Sequence, residues 1–121
     1  MSFPVLICDD SAIARKMVQR SLPDNFASDI QLACNGQEAV AKLEETSFTL
    51  LLLDLTMPIM DGVEVLQEIK SRAIEVFVIV ISGDIQPEMK QRVAKLGALD
   101  FIEKPVDAPK LKSVLERFGL Y

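Results

Sequence analysis

The best candidates for chemistry in this chain are charged residues that follow short apolar runs. Asp54 follows four consecutive leucines, and a carboxylate at the exit of a buried strand is costly unless something there needs its charge. The same pattern places Asp9 and Asp10 after the first apolar run and Lys104 after the last one. If these runs are parallel strands of one sheet, the four residues meet at one edge. We therefore expect a cluster of three carboxylates and one ammonium group, and function should be sought there.

Such a cluster is electrostatically unstable on its own. Two carboxylates about 4 Å apart repel by about 4 kcal/mol at an effective dielectric of about 20, and a single lysine cannot offset three such pairs. Either a carboxylate is protonated or a divalent cation binds, and an all-oxygen, partly hydrated site suits Mg²⁺. A carboxylate neutralised in this way, beside a lysine, is well placed to attack phosphorus, because the cations stabilise charge on the transferring phosphoryl group. Ser82, at the exit of the fourth apolar run, adds a hydroxyl donor for the same oxygens.

The elements that must position these residues are predicted to alternate between strand and helix. Apolar runs predict strands near Val5–Cys8, Ile30–Ala33, Leu50–Asp54, Val76–Ser82 and Leu99–Ile102. Apolar spacing with a period of about 3.6 residues predicts helices near Ala12–Leu22, Gly36–Glu45, Val63–Arg72, Gln86–Leu96 and Ala108–Phe118. Five strand–helix units with short connections predict an α/β fold with one doubly wound parallel sheet. In such sheets ligands bind at the carboxyl ends of the strands.

Length and composition narrow the classes of function. The 121 residues contain no linker or repeat, so residues 1–121 are predicted to form one domain. No apolar run approaches the roughly 18 residues of a membrane span, and the start lacks the basic flank of a signal peptide, so we expect a cytoplasmic protein. The net charge of −5 argues against nucleic acid as a direct partner. Histidine is absent, which removes imidazole catalysis and most zinc sites.

Four single residues and one apolar run give separate predictions. Cys8 and Cys34 each end a predicted strand, and we interpret both as buried apolar thiols, because neither has a metal-ligand spacing or a neighbouring base. Ser11 is predicted to cap the first helix. Gly97 is predicted to adopt a left-handed conformation just after the fourth helix. Val76–Ile81 lacks polar alternation, which is typical of a strand covered on both faces.

Taken in order, these motifs resemble the receiver domain of two-component response regulators over nearly the whole chain. The resemblance rests on Asp9-Asp10, Asp54, Met57-Pro58, Asp61-Gly62, Ser82-Gly83 and Lys104-Pro105. It implies a flavodoxin-like (βα)₅ domain with a five-stranded parallel sheet in the order 2-1-3-4-5. It also implies a phosphorelay switch rather than an enzyme, one that promotes only its own phosphoryl transfer and dephosphorylation.

The resemblance implies a role for each residue of the cluster. Asp54 would be the phosphoacceptor, receiving its phosphoryl group from a histidine kinase. Asp9 and Asp10 would hold Mg²⁺, with Asp54 and the main-chain carbonyl of Thr56 completing the protein ligands. Lys104 would pair with the phosphoryl oxygens. Because the chain has no histidine, it cannot itself carry the donor phosphohistidine.

The resemblance also implies a switch. Ser82 matches the family's switch Ser/Thr and Phe101 its switch aromatic: an inward movement of the hydroxyl toward a phosphoryl group vacates space for the ring. This changes the surface of the fourth and fifth strand–helix units; the alternative for Phe101 is an ordinary core aromatic. Thr56 and Asp84 are expected to tune the lifetime of the acyl phosphate, Asp84 either by orienting a water or by repelling the phosphoryl group. The peptide bond between Lys104 and the following proline is expected to be cis.

The implied partners are a histidine kinase and a downstream target protein or fused output domain, with the chain acting as a monomer or weak dimer. The Asp9-Asp10-Ser11 start followed by Arg15-Lys16 resembles chemotaxis-type receivers. Four alternatives remain at this point. They are a receiver cut from a longer regulator, a magnesium phosphatase with an aspartyl nucleophile, a nucleotide- or flavin-binding module, and a degenerate receiver that only binds partners.

Overall fold

The computed structural model describes residues 2–84 and 86–121, in which strands and helices alternate as predicted. The strands are β1 (Phe3–Cys8), β2 (Ala27–Ala33), β3 (Leu50–Leu53), β4 (Phe77–Ser82) and β5 (Asp100–Glu103). The helices are α1 (Ala12–Ser21), α2 (Gly36–Glu45), α3 (Gly62–Ser71), α4 (Pro87–Lys95) and α5 (Ala108–Arg117). The largest difference from prediction is at β2, which begins at Ala27 rather than Ile30.

The five strands form one parallel sheet in the order β2-β1-β3-β4-β5. This confirms both the doubly wound architecture predicted from the alternation and the strand order implied by the resemblance. In the register of the two central strands, Cys8 of β1 lies beside Leu53 of β3. The residues that follow these two positions, Asp9 and Asp54, therefore leave the sheet side by side.

Side chains that alternate along the strands build two cores, one on each face of the sheet. One core packs α2, α3 and α4 and includes Leu6 and Cys8 of β1, whereas the other packs α1 and α5 and includes Val5 and Ile7. This is the period-two alternation of a strand covered on both faces. All four residues of β3 are buried. In β4, residues 78–82 are buried and only Phe77, at its start, is exposed, so the prediction of two-sided cover is confirmed.

The predicted boundary signals are also present. The Ser11 hydroxyl accepts a hydrogen bond from the Ala14 amide at 3.2 Å, which caps α1. Gly97 follows α4 with φ of 103°, the left-handed conformation that glycine adopts readily. The bond between Lys104 and Pro105 is cis, as the resemblance implied. In the part of the chain that the structure describes, no helix has both the length and the apolar character that a membrane span needs.

The helices α3 and α4 are anchored to different degrees. At the start of α3, Asp61 and Glu64 form a capping box in which each side chain accepts from the main-chain amide of the other, at 2.9 and 3.2 Å. That helix buries Gly62, Val63, Val65, Leu66 and Ile69. By contrast, α4 starts without a side-chain cap from the described residues, and of its nine residues only Val93 is buried.

Candidate functional site

Main-chain hydrogen bonds fix the positions of Asp9 and Asp54 beyond the ends of their strands. The Asp54 amide donates to the Cys8 carbonyl at 3.0 Å, and the Asp9 amide donates to the Ala33 carbonyl at 3.0 Å. Both aspartates thus continue the sheet's hydrogen bonding by one residue, and both side chains are buried. Asp10, the next residue, is exposed. Two buried carboxylates and one exposed carboxylate therefore lie at the same edge of the sheet, just past the ends of the apolar strands.

Lys104 completes the cluster from β5, two strands away from Asp54. Neighbouring strands are about 4.8 Å apart, so a long side chain is needed to cross the end of β4. The Lys104 Nζ lies 2.8 Å from Asp9 Oδ2 and 3.3 Å from Asp54 Oδ1. Asp9, Asp10 and Asp54 each present an oxygen within 4.8 Å of the others. The predicted convergence of three carboxylates and one ammonium group is confirmed.

Asp9 is held at three points. Its Oδ1 accepts from the Ser11 amide at 2.9 Å, its Oδ2 accepts from Lys104, and its main-chain carbonyl accepts from the Arg15 guanidinium at 2.7 Å. Arg15 was not predicted to lie at the site, because in the sequence it stands out only as part of a family pattern. The available signal was a basic residue one turn beyond the helix cap, where a long side chain can reach back to the strand exit.

Burial and the charges within the cluster shift two pKa values. Burial, together with the neighbouring Asp9 charge, raises the pKa of Asp54, although Lys104 and the Thr56 main chain oppose the shift. For Lys104, burial alone would lower the pKa, but the hydrogen bond to Asp9 and the charges of both carboxylates outweigh it and raise the pKa. Lys104 is therefore a firmly charged cation, whereas the charge of Asp54 is disfavoured where it lies.

The donor set of the cluster fits a magnesium ion. All three candidate ligands are carboxylate oxygens, which Mg²⁺ prefers over nitrogen and sulfur. Opposite ligands of an octahedral Mg²⁺ are about 4.2 Å apart, so oxygens within 4.8 Å of one another need little movement to share one ion. The exposure of Asp10 leaves the cluster open to solvent, as a partly hydrated ion requires. The disfavoured charge of Asp54 is the physical reason why a cation would be held.

The loop after Asp54 is shaped by Gly62. A Cβ at this position would lie 2.3 Å from the Asp54 carbonyl oxygen and 2.8 Å from the Leu55 Cα. The Gly62 amide donates to the Leu55 carbonyl at 3.0 Å, which closes the loop. With the adjacent Asp61 cap, this contact gives a structural reason for the Asp61-Gly62 pair, which the sequence reasoning used only as part of the resemblance.

Ser82 and Phe101 lie in the same half of the molecule. The buried Ser82 hydroxyl accepts from the Asp84 amide at 3.1 Å. The main-chain carbonyl of Ser82 accepts from the Lys104 amide at 2.9 Å. Ser82 therefore adjoins Lys104 through the main chain. Phe101 is half-buried against the core that contains α4, and the Lys90 Nζ lies 5.4 Å from its ring centroid. Its role as a switch stays a prediction.

Thr56 and Asp84 border a cleft beside the cluster. The cleft has a volume of about 330 Å³ and lies between the loop after β3, α3 and α4. Met89 and Arg92 of α4 form the opposite wall. Thr56 and Asp84 therefore line one cleft. Their effect on the acyl phosphate and the role of the Thr56 carbonyl as a metal ligand stay predictions.

The prediction for the two cysteines is correct for Cys8 and wrong for Cys34. Cys8 is buried, and its thiol contacts the Asn35 carbonyl and the Met57 sulfur, each at 3.4 Å. Burial and the nearby Asp9 charge raise its pKa to about 12. Cys34 is exposed because it lies just past the end of β2. Its thiol donates to Glu38 at 3.3 Å, and this hydrogen bond raises its pKa.

Comparison with known proteins identifies the family. The family model for the response regulator receiver domain matches residues 5–116. The chemotaxis protein CheY of Bacillus subtilis (strain 168) is 36% identical over 117 residues, covering 97% of this chain and 98% of that protein. A longer relative, the protein-glutamate methylesterase/protein-glutamine glutaminase of Clostridium acetobutylicum, is 37% identical over 117 residues, which cover 92% of this chain but 34% of that protein.

Solved structures give the same result. CheY in the crystal structure of the CheX-CheY-BeF3-Mg complex from Borrelia burgdorferi matches with a TM-score of 0.88 at 34% identity, covering 96% of this chain and 89% of that chain. The chemotaxis protein CheY4 of Vibrio cholerae matches with a TM-score of 0.86 at 28% identity, covering 97% and 98%. The phosphatase and flavin-module alternatives are therefore set aside. The chain belongs to the response regulator receiver domain family, and it is a CheY-like receiver of two-component signalling.

Proposed function

We propose that the protein is a phosphorylation-dependent switch in which Asp54 accepts a phosphoryl group from a phosphohistidine of a histidine kinase. One observation carries this proposal: the Lys104 ammonium group bridges the buried carboxylates of Asp9 and Asp54. A carboxylate held beside a cation at the open edge of a sheet is a nucleophile whose phosphorylated product can be charge-paired at once. We propose further that residues 1–121 act together as one receiver domain.

The transfer exchanges one bond to phosphorus for another. A carboxylate oxygen of Asp54 forms a bond to phosphorus while the bond between phosphorus and the donor imidazole nitrogen breaks. The electron pair of the broken bond stays on that nitrogen, which takes up a proton from solvent. The donor histidine belongs to another protein, because this chain contains none.

The surrounding residues have separate roles in this proposal. Asp9, Asp10, Asp54 and the main-chain carbonyl of Thr56 would hold Mg²⁺, which when bound neutralises charge on the attacking carboxylate and the phosphoryl oxygens. Lys104 already lies 3.3 Å from Asp54, so a small rotation pairs its ammonium group with a phosphoryl oxygen. Because Lys104 directly follows β5, this rotation would transmit the effect of phosphorylation to β5.

Ser82 and Phe101 would convert the new charge into a change of surface. When the Ser82 hydroxyl moves inward to donate to a phosphoryl oxygen, its oxygen moves away from the Asp84 amide, which weakens that hydrogen bond and the turn from Ser82 to Asp84. Phe101 then moves inward into the vacated space. Because α4 is held by one buried residue, Val93, the repacking alters the surface formed by α4, β5 and α5.

The proposed partners bind the surface formed by α4, β5 and α5. They are a histidine kinase as phosphodonor and either a diffusible target protein or a fused output domain. The similarity to a chemotaxis CheY supports a motility-related role. The similarity to one third of a methylesterase keeps a fused output domain as an equal possibility beside a diffusible target. The acidic net charge of −5 gives no support to direct binding of nucleic acid. The protein is proposed to act as a monomer or weak dimer.

Phosphoryl uptake from acetyl phosphate with Mg²⁺ tests the proposal. Intact-mass measurement should find one phosphoryl group on the wild-type protein and none on Asp54→Asn, which removes the nucleophile with almost no change in volume. Asp24→Asn, an exposed aspartate in the loop after α1, is the matched control and should behave as wild type. Uptake by Asp54→Asn at the wild-type rate would refute the assignment of the phosphoacceptor.

The switch is tested separately with Lys104→Ala. Addition of BeF₃⁻ and Mg²⁺ should shift the amide resonances of α4 and β5 in the wild-type protein. The same addition should leave those resonances nearly unchanged in Lys104→Ala. This variant lacks the ammonium group that would move to pair with the new negative charge. An equal shift in both proteins would show that Lys104 does not transmit the change.

A further inference from the structure

We propose that Arg15 is a positioning residue for the acidic cluster: by holding the main chain at Asp9, it sets the affinity of the site for a divalent cation. The inference rests on the proposed function only in taking Asp9 and Asp10 as metal ligands. Arg15 does not need to contact the cation or the phosphoryl group. It acts on the turn that carries both carboxylates from β1 to α1.

The Arg15 side chain donates to a main-chain carbonyl just beyond the end of β1. The Asp9 carbonyl is the first one past the end of β1, and main-chain carbonyls that leave a sheet need another donor. The Arg15 Nη1 donates to it at 2.7 Å. Two further contacts hold the same residue, from the Ser11 amide to Oδ1 and from Lys104 to Oδ2. Arg15 is the member of this set that fixes the main chain of Asp9 rather than its carboxylate.

The guanidinium group is itself anchored by the helix that bears it. Arg15 lies in the first turns of α1, which starts at the Ser11 cap, and its own amide donates to the Ser11 carbonyl at 3.0 Å. The turn from Asp9 to Ser11 is thus closed at one end by the cap and at the other by the Arg15 side chain. Asp10 lies inside this closed turn, so its direction depends on both contacts.

A purely electrostatic role would give the opposite result from a positioning role. Removing a positive charge near three carboxylates makes the site more negative, which would tighten binding of a divalent cation. Removing the support of a ligand loosens the site, and losses of metal affinity of about 10-fold or more are typical for residues that orient ligands. The sign of the change in affinity therefore separates the two explanations.

Calorimetric titration of the metal-free protein with Mg²⁺ measures this sign. Arg15→Met should raise the Kd by about 10-fold. Arg20→Met is the matched control, since it removes the same charge from an exposed position in the last turn of the same helix, and it should stay within about 2-fold of wild type. A Kd for Arg15→Met that equals or falls below the wild-type value overturns the proposal. If Arg15→Met does not fold, Arg15→Lys, which keeps the charge but lacks the planar fork, is measured in the same way and should also bind more weakly.

A second measurement distinguishes support of the site from action on the reaction. The rate of phosphoryl uptake from acetyl phosphate should fall in Arg15→Met at low Mg²⁺ and return to the wild-type rate at saturating Mg²⁺. A deficit that persists at saturation overturns the proposal, because Arg15 would then act on the reacting groups. If none of the proteins takes up a phosphoryl group, the proposed function fails, while the titration still decides the role of Arg15.

Discussion

The helices α3 and α4 lie on the same face of the sheet, yet the chain anchors them very differently. A capping box and five buried residues hold α3, which follows the loop from Asp54. In α4 only Val93 is buried, with Met89 partly buried against the same core, and no side chain from the described residues caps the start of the helix. The two helices therefore differ in how much free energy opposes their movement.

This difference separates two requirements of a switch. In the proposed function, Asp54 reacts and must keep its geometry, and the firm anchoring of α3, which follows the loop from Asp54, suits that role. In the same proposal, α4, which follows Ser82, responds to a new charge, and its weaker anchoring suits that response. An interaction of about 1 kcal/mol is small against the packing of five buried residues of α3 and is a larger share of what holds α4.

Gly62→Ala should destabilise the protein by about 3 kcal/mol, because the new Cβ would meet the main chain at Asp54 and force the loop or α3 to shift. Gly83→Ala is the matched control in the loop before α4. No described atom lies within 4 Å of a Cβ at Gly83, so the change should stay within about 0.5 kcal/mol. Urea unfolding of both variants measures the difference, and equal midpoints would show that the two loops are equally permissive.

Asp54→Asn should stabilise the metal-free protein by about 1 kcal/mol near neutral pH. Burial and the Asp9 charge raise the pKa of Asp54, so the folded state binds a proton at Asp54 more tightly than the unfolded chain does. This contribution favours the wild-type fold below the ordinary pKa near 3.8 and is lost as the pH rises through the raised value. The advantage of Asp54→Asn should therefore vanish at acid pH, as thermal unfolding across pH would measure. An advantage that grows on acidification contradicts the assigned sign.

Gln86→Asp should stabilise the protein by about 0.7 kcal/mol, because an aspartate at this position can cap α4 as Asp61 caps α3. The same change should reduce the amide shifts of α4 on addition of BeF₃⁻ and Mg²⁺. Gln91→Asp, on the exposed side of the same helix, adds the same charge without a cap and serves as the control. If Gln86→Asp is more stable but its α4 amide resonances shift as far as those of the wild type, then weak anchoring of α4 is not required for the response.

Lys90→Met should have the smallest effect, about 0.5 kcal/mol, because its ammonium group lies over the Phe101 ring at an exposed site. Lys95→Met removes a charge from the same helix and provides the reference. The ring resonances of Phe101 should move in Lys90→Met and not in Lys95→Met. Unchanged resonances in both would mean that α4 does not influence the ring through this contact.

Much of this arrangement could be predicted because it depends on local patterns. Apolar runs locate the strands, and charged residues at their exits meet wherever the strands run parallel, so Asp9, Asp54 and Lys104 were placed correctly without coordinates. The start of β2 was missed because Ser28 and Asp29 lie exposed on an edge strand. An edge strand can begin with polar residues, and such residues give no hydrophobic signal.

The features that were missed depend on distances across the fold. The approach of Gly62 to the Asp54 carbonyl and the reach of Arg15 to Asp9 join residues whose proximity follows from how a loop or helix turns back, and no periodicity reports this. Cys34 was misplaced for a related reason. Its burial depends on the direction of the chain between the end of β2 and the Asn35 cap of α2, which the run of apolar residues does not fix.

The outward position of Cys34 affects how self-association of this protein should be measured. The exposed Cys34 thiol can join two copies through a disulfide when reductant is absent and dissolved oxygen takes up the two electrons. The hydrogen bond to Glu38 raises its pKa and slows this oxidation without preventing it. On a sizing column, a covalent pair formed in this way could not be told from the weak non-covalent dimer proposed above. A Cys34→Ser protein would report only the non-covalent association that signalling can use.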